Sequence, residues 1–170
     1  PNGLRVIFYR RTHSPIFSSQ IWVKAGGVNE VPGQTGVFHL LEHMAFKGTR
    51  AVGTRDWPQE KRLLERYEQV LDELERYDAA ALKEELRHLQ EKLAALQVTD
   101  EFSNIYRTRG ASGLNAATSK EYTMYMVSLP ASEFELWCWM ESERLLHPVF
   151  RQFYKERDVV LEERRMRTDD

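Results

Sequence analysis

In this 170-residue chain, the residues best suited to chemistry are His39-Leu40-Leu41-Glu42-His43. Side chains four apart on a helix lie one above the other, so both imidazoles can offer a ring nitrogen to one metal ion. Glu42, three residues after His39, falls on nearly the same face and can hold a water against that ion. The chemistry implied is metal-assisted hydrolysis. With this chain's His and Glu content, chance yields H-x-x-E-H about once in a hundred such chains. The bland alternative is a solvated helix face carrying two histidines and a carboxylate, and the flanks argue against it. Thr35, between Gly33 and Gly36, is the expected cap of a helix running to about Lys47. Val37, Phe38, Leu40, Leu41, Met44 and Phe46 make that helix apolar almost all round, which predicts burial. Buried polar groups need partners, and a metal ion supplies one.

Two imidazoles do not complete a hydrolytic site, which takes three protein ligands and leaves a position for water. His13, His88 and His147 are poorly placed: one in a loop, one in a charged segment, one before Pro148. The best carboxylates lie in the last helical stretch, Glu156-Arg157-Asp158-Val159-Val160-Leu161-Glu162-Glu163. Val159, Val160 and Met166 mark its expected buried side. Glu156 and Glu163, seven apart, share a face, whereas Glu162 is turned about 100° away toward solvent or a salt bridge. On charge pattern alone, simple pairing of these carboxylates with Arg157, Arg164 and Arg165 would be the better reading.

The elements that must position these groups alternate in type. Leu4 to Tyr9, after the Asn2-Gly3 turn signal, reads as a strand. Phe17 to Val23 alternates apolar and polar residues and reads as a second. Residues 58–97 are dense in Glu, Lys, Arg and Leu, with leucine-rich stripes at Leu64, Tyr67, Leu71 and Leu74 and at Leu82, Leu86, Leu89, Leu93 and Leu96. One continuous helix here would run about 60 Å, but the dozen residues that follow span only about 40 Å when extended. The segment is therefore expected to fold back near Tyr77 to Ala80 as a helical hairpin, with Asp78 capping its second arm; a single protruding helix used for dimerisation is the alternative. Leu114 to Leu129 is strand-like, with Ser119-Lys120-Glu121 either a hairpin turn or a bulge. Ser132-Glu133-Phe134-Glu135 has the form of a capping box opening a helix to His147-Pro148. Its Trp137-Cys138-Trp139 cluster reads as core. Phe153 to about Thr168 forms a last charged helix.

Three stretches in this order resemble the insulinase, or pitrilysin, family of metallopeptidases (M16), which includes the mitochondrial processing peptidase. They are Gly36 to Thr49 around the H-x-x-E-H helix, Leu114-Asn115-Ala116-Ala117-Thr118-Ser119-Lys120-Glu121-Tyr122-Thr123, and Glu156 to Glu163. The inverted motif is that of the inverzincins. The resemblance implies an α+β fold, an antiparallel sheet with helices packed on it, of the type shared with S-ribosylhomocysteine lyase and the processing peptidase. It implies one Zn²⁺ per chain held by His39, His43 and Glu163, Glu42 as catalytic base, and Glu156 as the supporting carboxylate. It also implies substrate contact at Asn115 and Ala116. The family usually places its third ligand about 75 residues after the second histidine, against 120 here, and the 58–100 hairpin reads as the insertion responsible, which slow growth of loop-closure cost tolerates.

The implied function is zinc-dependent endopeptidase action on peptides or small unfolded polypeptides. A non-catalytic partner subunit of the same family is the main alternative. The lyase is disfavoured because it works through cysteine at its metal, and Cys138, the sole cysteine, is read as buried between tryptophans. A third reading makes the hairpin an interaction module, which its deletion would test, since a peptidase body should survive without it. Partners implied are peptide substrate and a second domain of this fold, in the same longer chain or a partner subunit. The absence of an initiator Met, and a helical pattern running to the C-terminus, read as one 1–170 domain from a longer polypeptide. A net charge of −2 leaves no basic footprint for nucleic acid. No apolar run reaches a membrane span. No compartment is determined, although the resemblance leans to the bacterial envelope over the cytoplasm.

Overall fold

A computed structural model describes residues 3–11 and 13–168. Chain order is β1 (Ile16–Val23), α1 (Val37–Met44), α2 (Trp57–Arg76), α3 (Ala80–Leu96), α4 (Glu101–Thr108), β2 (Ser112–Thr118), β3 (Thr123–Pro130), α5 (Phe134–Leu146) and α6 (Phe153–Thr168). The strands form one antiparallel sheet in the order β1-β3-β2. The fold is α+β, as expected.

β3 is the central strand, and its alternate residues Thr123, Tyr125, Val127 and Leu129 are buried. Ser119 to Tyr122 is a hairpin turn rather than a bulge, closed by the Ser119 amide donating to the Tyr122 carbonyl at 2.8 Å. The chain leaving β1 packs directly on that turn: a Cβ at Gly26 would lie 2.4 Å from the Ser119 carbonyl oxygen, so only glycine fits there. The core joins Val52, Phe102, Tyr106, Val127, Leu129 and Met140. Phe102 and Tyr106 come from α4, a helix not expected from the sequence. Their four-residue spacing sends both into the core from a helix of only two turns.

Other expectations are corrected. Residues 4–9 form no strand; they are irregular and open, with Ile7 88% exposed. β-forming side chains do not hold a strand without a hydrogen-bonding neighbour. The Asn2-Gly3 turn signal lies partly outside the described residues. α1 is not buried all round: Met44 is enclosed, while Val37 and Leu41 are about two-fifths exposed. The capping-box residues before α5 form a 3-10 turn at Ala131–Glu133, and no side chain caps that helix. Cys138 is exposed and Trp139 is 45% exposed; only Trp137 packs on the core. In α6 the packed residues are Glu156, Val160 and Glu163, while Val159 and Met166 face outward.

The charged segment folds back at Tyr77–Ala79, so it is two helices rather than one. Ala79, not Asp78, is the cap residue of α3, and Asp78 pairs with Lys83. Arg66 grips both carboxylate oxygens of Glu85 across the arms, at 2.7 and 2.9 Å. The hairpin is keyed to the body by Glu60, which is fully buried and receives the Nε and Nη2 of Arg151 at 2.8 and 2.9 Å. The remaining Arg151 donors reach the carbonyls of Thr49, Val52 and Lys47. All five guanidinium N–H groups are thus satisfied, which offsets the penalty of burying the pair.

Candidate metal centre

α1 presents His39 and His43 one turn apart, their rings 4.8 Å between centroids and nearly perpendicular. The helix is preceded by Gly36, whose φ of +99° is a left-handed value that glycine adopts without strain. Thr35 is not its cap. Instead the Glu30 carboxylate accepts from the Gly36 amide at 2.9 Å and the Phe38 amide at 3.1 Å, placing negative charge at the positive helix end. No short-range pattern reveals this, because Glu30 reaches across a six-residue loop.

α6 packs against α1 and brings Glu163 to the histidines. Its Oε2 lies 3.4 Å from His39 Nε2 and 3.9 Å from His43 Nε2. One ligand atom from each of the three residues falls within 4.8 Å of the other two. Bonds of about 2.0–2.2 Å to a tetrahedral zinc set neighbouring donor atoms about 3.3–3.6 Å apart, so this set has the composition and nearly the spacing for one divalent cation. Glu162, the alternative carboxylate, is exposed and pairs with Arg165 at 3.3 Å.

Glu156 sits one α6 face-repeat before Glu163, only 9% exposed. Its Oε2 lies 3.3 Å from His43 Nδ1 and its Oε1 2.5 Å from Lys47 Nζ. Burial pushes its carboxyl up, but the Lys47 hydrogen bond and charge, with His43 adding, hold it below the ordinary carboxylate range. Glu42 receives a hydrogen bond from Thr118 Oγ1 at 2.5 Å on Oε2. Thr118 closes β2, and Leu114, Ala116 and Thr118 occupy its half-buried face toward α1, while Asn115 and Ala117 are exposed. A register shift between Ser112 and Asn115 bends this edge strand beside the site. Asn115 and Ala116 border a recess of about 260 Å³ that also touches Glu42, His43 and Phe46. A second, about 540 Å³, opens at the other end of α1 along His39, Leu40 and Thr118.

All seven site residues expected from sequence therefore fall around α1, β2 and α6. The sequence reading assigned no role to Thr118, Lys47 or Glu30. The first two stand inside motifs it quoted, but nothing in spacing shows which polar groups they meet.

The sheet and its flanking helices thus form an α+β domain carrying a cluster of donor atoms suited to one divalent cation. Residues 5–70 match the sequence profile described as insulinase (peptidase family M16). A zinc protease of Rickettsia bellii, described as uncharacterised, is 41% identical over 49 residues, covering 29% of this chain and 12% of that protein. The beta subunit of the Dictyostelium discoideum mitochondrial-processing peptidase is 46% identical over 48 residues, 28% of this chain and 10% of that one. YmxG of Bacillus subtilis, an uncharacterised zinc protease, aligns over 99% of this chain and 30% of its own length at 23% identity. The crystal structure of a protease from Helicobacter pylori shares the fold, with a TM-score of 0.62 and 23% identity over 92% of this chain and 27% of that one. Over residues 5–70 the chain is similar to the insulinase family, M16. It spans less than a third of the length of these relatives.

Proposed function

We propose that this chain is the catalytic, zinc-holding domain of an endopeptidase acting on peptides or small unfolded polypeptides. The observation that supports the reading most is the convergence of His39, His43 and Glu163, two of them 120 residues from the third or nearly so, with Glu42 alongside. His39, His43 and Glu163 would hold one Zn²⁺. When bound, the metal supplies an acidified water and polarises the scissile carbonyl. Glu42 takes the water proton and delivers it to the leaving amine. Thr118 holds Glu42 by one oxygen and leaves the other for the water. Glu156 orients the His43 ring. Substrate backbone adds along the β2 edge at Asn115 and Ala116, where pairing depends little on sequence.

Given the chain's share of its relatives' length, a second domain of this type, in the same polypeptide or in a partner subunit, would complete the enclosure of substrate. Relatives named as processing-peptidase subunits support that arrangement. The isolated chain should bind zinc yet cleave peptides poorly. Metal analysis tests the site: Glu163→Gln should lose zinc and Glu162→Gln should keep about one ion per chain. Glu42→Gln should retain the ion while the complete peptidase loses turnover by several orders of magnitude. Unchanged function in that variant would favour a binding subunit instead.

A further inference from the structure

Lys47 follows α1 by three residues and is held at both ends. Its backbone amide donates to the Met44 carbonyl at 3.0 Å. Its carbonyl accepts from Nη1 of Arg151, whose own position is set by the buried pair with Glu60. The stem therefore leaves a backbone fixed from two directions. The ammonium lies 2.5 Å from Glu156 Oε1, and the opposite oxygen of that carboxylate lies 3.3 Å from His43 Nδ1. A nearly buried carboxylate gripped on one oxygen has little rotational freedom in how it meets an imidazole with the other. The hydrogen bond at Nδ1 in turn decides that Nε2, which faces Glu163, is the nitrogen left for a metal.

We infer that Lys47 is a positioning residue of the metal centre, acting through Glu156 to set the orientation and tautomer of His43. The inference rests on His39, His43 and Glu163 being zinc ligands. The rival role for Lys47 is mere cross-linking of α6 to the segment after α1, which would affect stability but not the ion.

Competition titration with a chromophoric chelator measures zinc affinity of the chain without any need for turnover. Lys47→Met should weaken zinc about tenfold or more, in the range found when an outer partner of a histidine ligand is removed. Lys47→Arg, which keeps the cation, should recover most of that loss. In a Glu156→Gln background Lys47→Met should change affinity less than twofold. Circular dichroism confirms folding, and Lys47→Gln replaces the Met variant should that one not fold. Wild-type affinity in both Lys47→Met and Lys47→Gln, or an equal loss with and without Glu156, overturns the inference while leaving the metal site intact. A wild-type chain that takes up no zinc instead overturns the ligand assignment, and this inference with it.

Discussion

At the scale of single residues, the site depends on side chains that aim the reactive ones. Thr118 is the clearest. Its hydroxyl donates to Glu42 at 2.5 Å from the last position of an edge strand. A hydrogen bond to a charged acceptor contributes roughly 1.5–3 kcal/mol. Under the proposed function, Thr118→Val should therefore lower kcat of the complete peptidase by about tenfold or more, with zinc content unchanged, and Thr118→Ser should restore most of it. A Val variant with wild-type kcat would show that Glu42 needs no such restraint. That a threonine here meets Glu42, 76 residues earlier, was not readable from spacing: strand alternation puts its side chain on one face, but the helix opposite it is a tertiary fact.

At the scale of elements, two helical devices carry the structure around the site. The first is the start of α1, where Glu30 supplies the acceptors for two open backbone amides. Glu30→Ala should destabilise the fold by about 1–2 kcal/mol, as loss of a cap does, read as a shift in the urea midpoint; Thr35→Ala should shift it little. The second is the α2–α3 hairpin. The hydrogen bond and charge of Arg66 hold the Glu85 carboxyl below its ordinary 4.5. A carboxylate with a depressed folded-state value stabilises fully above the unfolded value, and that contribution is lost as pH falls through the folded one. Thermal stability should thus decline as pH drops below about 4.5, and Arg66→Met should flatten that decline. Both partners are solvent-exposed, so salt should weaken the effect as well.

At the scale of the whole molecule, the buried Glu60–Arg151 pair ties the hairpin, the segment after α1 and the approach to α6 into one unit. Removing one partner strands a buried charge, so Arg151→Met should cost about 3–5 kcal/mol, and Glu60→Leu with Arg151→Met together should cost much less. Thermal melts of the three proteins decide this. The same contact predicts that the hairpin cannot be excised whole. Deleting 58–97 removes Glu60 and should collapse the body, whereas replacing residues 72–86 with a short linker should preserve zinc binding. Among the described residues no helix is long and apolar enough to cross a membrane.

Local pattern alone carried the helix–strand alternation, the fold-back near Tyr77, the turn at Ser119 to Tyr122 as one of two options, and the pair His39 and His43. The fold-back follows from the reach of the chain and the others from periodicity or from neighbours within a turn, all properties of the chain itself. The choice between Glu162 and Glu163 required a helix face and a family resemblance. The proximity of Glu163 to both rings, the grip of Glu30 on α1, the contribution of α4 to the core and the absence of a strand at Leu4 to Tyr9 were decided only by tertiary structure. They depend on which surfaces meet across long stretches of chain, and on whether a strand finds a neighbour, neither of which a local repeat encodes.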